Sequence, residues 1–135
     1  MRIVLDTDVV VSGLLTAVGA PAQVLDLVST ADVSLVLDQR SLTEYQDVLA
    51  RPRLKLGRHA VRDFLLLADY AEFVIGAPLP FPLPDRADEP FLEVAIAGAV
   101  DALVTGNAKH FRVLRGRLAI PIVSPRRFLE ILAGR

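Results

Sequence analysis

Residues 2–8 read RIVLDTD, and this stretch indicates the fold class. Arg2–Leu5 is a short, mostly apolar run that ends abruptly at Asp6, which is the pattern of a buried strand. A helical pattern begins at Asp8 and extends over residues 8–17. Strands that alternate with helices in this way are typical of a parallel sheet covered by helices on both faces.

The same alternation continues along the rest of the chain. Further strands are predicted at residues 33–37, 73–75, 102–105 and 120–123. Further helices are predicted at residues 21–29, 41–50, 58–72, 89–100, 109–114 and 125–133. Residues 76–84 contain four prolines and are expected to form a loop, because proline interrupts regular structure. The pattern therefore predicts an α/β fold.

Length and composition are those of one globular domain. The 135 residues fit a single domain, residues 1–135, and 53% of hydrophobic residues is enough to form its core. The absence of cysteine excludes disulfides and thiolate metal ligands. We see no signal peptide and no run of about 20 apolar residues that could cross a membrane, so a cytoplasmic protein is expected.

Positive charge is concentrated in two runs, although the net charge is only −1. Such runs can hold nucleic-acid phosphates without reading sequence, but they are equally typical of a solvated surface, and both interpretations stay open. The first run consists of Arg51, Arg53, Lys55, Arg58 and Arg62, and the second of Arg112, Arg115, Arg117, Arg126 and Arg127.

Acidic residues stand where a parallel sheet is expected to bind ligands. Such ligands lie outside the carboxyl ends of the strands, and Asp6 and Asp8 follow the first strand. The simpler alternative is a helix cap, which needs only one acid and is more plausible for Asp8. Glu44 and Asp88 lie at two later helices, where a solvated glutamate and an N-cap are the corresponding alternatives.

Polar residues also follow the strand predicted at 102–105. Thr105, Gly106 and Asn107 could form an ordinary turn, with glycine at positive φ and asparagine as a cap. In the functional interpretation, Thr105 and Asn107 lie at the rim of the same crevice as Asp6. Carboxylates that converge in a crevice repel one another unless a cation joins them, and oxygen ligands suit Mg²⁺ or Mn²⁺. With only two histidines, zinc is disfavoured.

Four segments, in order and at suitable spacing, resemble the PIN domain. They are IVLDTDVVVSGLL at residues 3–15, the helix with Glu44, DEPFLEVAIAGAVDALVTGN at residues 88–107 and IVSPRRFLEIL at residues 122–132. More narrowly, the chain is similar to toxin components of bacterial toxin–antitoxin systems. The resemblance implies a three-layer α/β/α fold around a parallel sheet of about five strands, and Mg²⁺- or Mn²⁺-dependent cleavage of RNA.

The resemblance also implies roles for individual residues. The family's acids fall on Asp6, Glu44 and Asp88, which would bind the metal, with Glu44 as a further ligand or as general base toward water. The fourth acid falls on Asn107, which would contact the ion through a water. Thr105 matches a threonine near the metal-bound water.

Asn107 is a departure from the family pattern, because it keeps a carbonyl oxygen but loses a charge. Metal affinity could fall as a result. Asp8 stands where the family often has asparagine, so its carboxylate could partly restore the charge. Asp85, Glu89 or Glu93 could also compensate.

The resemblance further implies partners for the chain. RNA would contact Arg51, Arg53, Lys109 and Arg112, with His110 as an ordinary surface residue or a further contact. A cognate antitoxin would cover the active-site groove and insert a basic side chain. The apolar first two helices suit either the core or a surface for homodimerisation or antitoxin docking.

Two alternatives to a ribonuclease remain at the level of the sequence. Asn107 could mark a catalytically weakened PIN domain that only binds RNA or a partner. A receiver-type or phosphatase-like doubly wound domain is disfavoured, because Asp38 and its strand lack the features such a domain needs at a middle strand.

Overall fold

The computed structural model describes residues 1–114 and 118–134. Its five strands are β1 Arg2–Leu5, β2 Ser34–Leu37, β3 Glu72–Phe73, β4 Ala102–Val104 and β5 Ile122–Val123. Its α-helices are α1 Thr7–Leu15, α2 Ala20–Ser29, α3 Gln39–Leu49, α4 Arg58–Asp69, α5 Glu89–Gly98 and α6 Pro125–Ala133. Short 3₁₀ helices occupy Pro52–Leu54, Arg86–Asp88 and Ala108–Leu114.

The strands form one sheet in the order β3-β2-β1-β4-β5, and every neighbouring pair is parallel. β1 is central, with Ile3 opposite Leu35 on β2 and opposite Ala102 on β4. Helices α1, α2 and α6 pack together as one group, and α3, α4 and α5 as another. The predicted three-layer α/β/α fold with a five-stranded parallel sheet is confirmed.

Several element boundaries differ from the sequence prediction for local reasons. α1 stops at Leu15, because Thr16 is already extended. α4 stops at Asp69, because Glu72 belongs to β3 and not to the helix. α5 stops at Gly98, because Ala99 takes the left-handed conformation with a φ of 46°. The helix predicted at 109–114 is a 3₁₀ helix that begins one residue earlier.

A buried tyrosine fixes α3 against the end of the central strand. Tyr45 is fully buried, and its hydroxyl donates to the carbonyl of Leu5 at 2.5 Å. Its ring meets Phe64 edge-on at 5.5 Å between centroids and stacks on Phe91 at 6.1 Å. The buried hydroxyl is therefore satisfied, and the residue beside it, Glu44, is held near the carboxyl end of β1.

In the part of the chain that the structure describes, no single helix is long and apolar enough to cross a membrane. The pair α1 and α2, bent by 98°, passes that test together by length and composition.

Candidate active site

Asp6 occupies the carboxyl end of β1 without serving as a helix cap. Its backbone N–H donates to the carbonyl of Val104 at 2.9 Å, which continues the pairing with β4. It stands at the N-cap position of α1, yet its side chain makes no capping hydrogen bond. The carboxylate is buried and instead accepts a hydrogen bond from the Thr105 hydroxyl at 2.8 Å. The geometry therefore favours the functional interpretation of Asp6 over the capping alternative.

Asp8 is held by the loop after β4. The backbone N–H of Gly106 donates to its two oxygens at 3.2 and 3.1 Å, and the Asn107 amide nitrogen donates at 2.9 Å. Asp8 and Asn107 therefore form a pair of one carboxylate and one amide at the rim of the crevice.

Gly106 is required by proximity and not by its backbone angles. The turn interpretation of residues 105–107 places Gly106 at positive φ, and the structure contradicts that part of it, because Gly19 is the glycine with positive φ among the described residues. A Cβ on Gly106 would lie 2.5 Å from Asp8 Oδ2. Glycine thus allows the backbone N–H to approach the Asp8 carboxylate.

Glu44 is positioned by a residue that sequence analysis missed. Thr7 is buried in the first turn of α1, and its hydroxyl donates to Glu44 Oε2 across to α3. The only sequence signal for Thr7 is its place between two aspartates. Glu44 is half-buried, and no Lys or Arg contacts it among the described residues.

Asp88 ends the 3₁₀ helix before α5 and is buried. Its side chain makes no capping hydrogen bond. Its Oδ2 lies 3.1 Å from Nδ1 of His110, which comes from the 3₁₀ helix after β4. Sequence analysis treated His110 as a surface residue, and the structure places it half-buried against this predicted metal ligand.

The carboxylates act on one another electrostatically. Burial is the largest cause that raises the pKa of Asp6 to about 7, followed by repulsion from Asp8, and Asp88 adds to it, while the Thr105 hydroxyl lowers it. The pKa of Asp88 is also raised, first by burial and then by Asp85 and Asp8, against the lowering effect of His110. Asp6, Asp8 and Asp88 therefore share one region of uncompensated negative charge.

Ligand spacing is tightest at one edge of this region. Among the described residues, one group of metal-ligating side chains has ligand atoms all within 4.8 Å of one another, namely Asp85, Asp88 and His110. The predicted trio of Asp6, Glu44 and Asp88 does not reach that spacing.

Glu89 and Glu93 are engaged away from the crevice. Glu89 accepts from the backbone N–H of Leu83 at 2.9 Å and pairs with Arg86 at 3.0 Å. Glu93 is buried and pairs with Arg40 at 2.7 Å. Both carboxylates thus stabilise the surroundings of the proline-rich loop, whereas Asp85 lies beside Asp88.

The basic residues predicted to contact RNA are exposed where the structure describes them. Arg51, Arg53 and Lys109 are exposed, and Arg51 lies at one end of an open groove of about 530 Å³ along α3. Glu44 lines the same groove, so an acidic site residue and a basic residue share one channel. Arg115, Arg117 and the side chain of Arg112 lie outside the described residues.

The fold and the acidic crevice together define a nuclease-type α/β domain. A comparison with protein-family models agrees, since residues 2–109 match the PIN domain. The chain therefore belongs to the PIN domain family. Neither a search of curated proteins nor a search of solved structures found a match.

Proposed function

We propose that this PIN domain is a metal-dependent ribonuclease whose site is formed by Asp6, Glu44 and Asp88, with Asn107 at the fourth corner. The observation that carries the proposal is the buried carboxylate of Asp6, which makes no helix-capping hydrogen bond and lies close enough to Asp8 and Asp88 for their charges to raise its pKa. Among the side chains that the structure describes, no Lys or Arg forms a salt bridge with Asp6, Asp8 or Glu44. A cation would relieve this repulsion.

The donor set fits Mg²⁺ or Mn²⁺. One oxygen of each carboxylate accepts a hydrogen bond, as from Thr105 to Asp6 Oδ2 and from Thr7 to Glu44 Oε2. The other oxygen of each carboxylate is left to bind a metal ion. Oxygen ligands of this kind are those that hard divalent cations prefer. A bound ion of this class activates water and stabilises the charge that develops on a phosphodiester in hydrolysis.

The chain's own residues supply orientation and proton transfer. Glu44 is half-buried and keeps one oxygen free of Thr7, so it can accept a proton from the attacking water. The amide nitrogen of Asn107 donates to Asp8, which leaves its carbonyl oxygen to accept from a water in the crevice. Thr105 keeps the Asp6 carboxylate in one orientation.

Substrate binding would use the groove along α3. Arg51 at its end, with Arg53 nearby in sequence, would hold backbone phosphates while Glu44 faces the scissile bond. Lys109 and Arg112, which follow Thr105, Gly106 and Asn107 in the chain, would add further phosphate contacts. Such contacts are independent of base identity, so binding should weaken strongly with salt.

An RNase assay tests the proposal directly. The purified chain should cleave structured RNAs with Mn²⁺ or Mg²⁺ and lose cleavage in a chelator. Asp6→Asn and Asp88→Asn should each lower the rate by at least about 100-fold, since each removes a ligand charge. The exposed Asp69→Asn variant serves as the matched control. Cleavage that survives both active-site changes, or that persists in a chelator, would overturn the assignment.

A second candidate is a binding module without turnover, and Asn107 is the observation that motivates it. Because Asp8 lies within hydrogen-bond distance of Asn107, the crevice retains a fourth carboxylate, which favours the enzyme. Metal titration separates the two. An occupied site at Asp6 should raise the melting temperature by mass action, and Asp6→Asn should remove that rise, whereas a binding module should show no Mn²⁺-dependent stabilisation that depends on Asp6.

We further propose that the chain is a toxin that acts in the cytoplasm and pairs with an antitoxin. An inhibitory partner would place a basic side chain among Asp6, Asp8 and Asp88, where the repulsion between carboxylates favours any cation. A neighbouring gene that encodes a small DNA-binding protein would support this role.

We also propose that the chain forms a homodimer. The apolar residues of α1, α2 and the turn between them divide between core and surface: Val9, Val10 and Val24 are core, whereas Leu15 at the end of α1 and Val18 in the turn are exposed. The exposed pair is the part left for a second copy or an antitoxin. Light scattering of the purified chain measures the mass, and a monomer at all concentrations would contradict the dimer.

A further inference from the structure

The group Asp85, Asp88 and His110 differs from the rest of the acidic crevice in its chemistry. It offers one imidazole nitrogen and two carboxylates, with all ligand atoms within 4.8 Å of one another. The Asp88 Oδ2 to His110 Nδ1 distance of 3.1 Å also suits two neighbouring ligands on one ion, since ligands about 2.1 Å from a metal at right angles lie about 3 Å apart.

Each member is held in place by its own local structure. Asp85 caps the 3₁₀ helix through Oδ1, which accepts from the backbone N–H of Ala87 at 2.9 Å, so Oδ2 is left for another partner. The backbone N–H of His110 donates to the carbonyl of Asn107 at 2.8 Å, which ties the imidazole to the loop after β4. The group thus joins two segments that are far apart in sequence.

The carboxylate of Asp88 is incompletely partnered although it is buried. Only Oδ2 has a partner among the described residues, and that partner is His110. Asp85 is exposed and His110 is half-buried, so an ion can reach the group from solvent. No buried side-chain oxygen lacks a partner among the described residues, so the free Oδ1 of Asp88 keeps contact with solvent, from which a cation can reach it.

We propose that Asp85, Asp88 and His110 form a second metal site that takes a transition-metal dication, Mn²⁺ or Zn²⁺, in preference to Mg²⁺, with Asp88 common to this site and the one at Asp6. Imidazole is a good ligand for first-row transition metals, whereas Mg²⁺ strongly favours oxygen. The sequence disfavours zinc because the chain has only two histidines. One imidazole placed beside two carboxylates nevertheless supplies three ligands for a Zn²⁺ ion. The inference does not require that the chain cleaves RNA.

Zn²⁺ is the probe that reports on the proposed ligand directly. The full ¹⁵N-labelled chain is titrated with Zn²⁺ in excess Mg²⁺, and long-range ¹H–¹⁵N spectra follow both imidazoles. The chain has two histidines, and exposed His59 on α4 is the internal control. We expect Zn²⁺ to take the place of the proton on Nδ1 of His110, with that proton moving to Nε2 or to buffer, and the Nδ1 signal to shift to a metal-bound position, while His59 is unchanged.

Variants separate a built site from adventitious binding to a histidine. Asp85→Asn should weaken Zn²⁺ binding at least about 10-fold, and it should still fold because asparagine also caps helices. Asp69→Asn, on the exposed end of α4, should leave Zn²⁺ affinity within about threefold, since Asp69 lies outside the group and outside the acidic crevice. His110→Asn should abolish the spectral change, and His59→Asn should leave it intact.

Two results would overturn the site. One is an unchanged His110 Nδ1 signal at Zn²⁺ concentrations that saturate the chain. The other is equal Zn²⁺ affinity of the Asp85→Asn and unchanged chains, which would mean that His110 and Asp88 form only a hydrogen-bonded pair. Because the readout is spectroscopic, a chain that binds Zn²⁺ here but cleaves no RNA would contradict the ribonuclease proposal and leave the metal site standing.

Discussion

At the scale of single residues, Asp6, Asp8 and Glu44 are each oriented by uncharged donors. Thr7 does this for Glu44, from α1 to α3. Removal of the hydroxyl in Thr7→Val keeps the shape of the side chain and frees Glu44 to rotate. We expect Mn²⁺ affinity to fall by about 10-fold, as for other residues that orient metal ligands. Calorimetric Mn²⁺ titration measures this effect.

Thr7→Ser is the matched control, because serine retains the hydroxyl at the same backbone position. It should restore most of the Mn²⁺ affinity that valine removes. If both variants bind Mn²⁺ as tightly as the unchanged chain, then Thr7 only fills space in the first turn of α1.

The pair Asp8 and Asn107 allows a test in which the carboxylate and the amide are exchanged between the two positions. Asp8→Asn removes a carboxylate from the crevice, and Asn107→Asp puts two carboxylates where a hydrogen bond of 2.9 Å now stands. We expect each single variant to change Mn²⁺-dependent thermal stabilisation. The double variant restores one carboxylate and one amide, so it should return to the behaviour of the unchanged chain.

The size of this recovery is the informative quantity. Residues in direct contact commonly show coupling of about 0.5–3 kcal/mol, whereas independent residues add. Melting curves of all four chains, with and without Mn²⁺, give the coupling. If the effects of the two single variants on stability simply add in the double variant, then Asp8 and Asn107 act separately, and an exchanged pair does not replace the original one.

The sequence identified some of these residues and missed others for a physical reason. Asp6 and Glu44 were found because the pattern of strand and helix, and then the family resemblance, pointed to them. Thr7 and His110 act on partners 37 and 22 residues away, and only folding determines those partners. A threonine between two aspartates carries no local sign that its hydroxyl will reach α3.

At the scale of elements, an ion pair with one buried carboxylate connects α3, α5 and the proline-rich loop. Glu93 on α5 is buried, pairs with the exposed Arg40 at 2.7 Å and accepts from the backbone N–H of Leu79 at 3.1 Å. Glu93→Gln removes this charge, while Arg40 keeps its pair with Asp38. We expect the free energy of unfolding to fall by about 1–2 kcal/mol, because two charge-assisted hydrogen bonds at Glu93 become neutral ones.

Urea unfolding measures this loss, and the exposed pair on α6 provides its control. Arg127 and Glu130 lie 3.2 Å apart with side chains 62% and 55% exposed, so Glu130→Gln should change stability by less than about 0.5 kcal/mol. Faster hydrogen exchange of the Leu79 amide in Glu93→Gln would locate the effect in the loop. Equal losses in both variants would contradict the assigned role of Glu93.

The elements themselves were largely predictable, because their pattern is a local property. β1 and α6 begin and end where the sequence predicts. The errors lie at ends that depend on neighbours: β3 begins at Glu72 because Val36 on β2 pairs with it, and β5 is shortened to Ile122–Val123 by its pairing with β4. The anchoring of the loop by Glu93 had no signal in the sequence.

At the scale of the whole molecule, the raised pKa of Asp6 links stability to pH. The folded chain holds a proton on Asp6 up to a pH of about 7, whereas the unfolded chain releases it near 3.8. Between these values the folded state binds more protons at Asp6, so the contribution of Asp6 to the stability of the metal-free chain falls as pH rises from about 4 to about 7 and then levels off. The upper bound on the loss is roughly 4 kcal/mol.

Asp6→Asn removes this titration, so its stability should depend less on pH and should exceed that of the unchanged chain above pH 7, where repulsion from Asp8 and Asp88 is greatest. Asp69→Asn, on the exposed end of α4, should retain the original pH dependence.

Mn²⁺ should reverse the slope in the unchanged chain, because a cation binds the deprotonated carboxylate and releases the proton, so metal-bound stability rises with pH. Chemical denaturation across pH, with Mn²⁺ and with chelator, measures all three. If stability without metal increases from pH 4 to 7 in the unchanged chain and in Asp6→Asn alike, Asp6 is not the group that opposes folding, and the crevice holds its charges without the need of a cation.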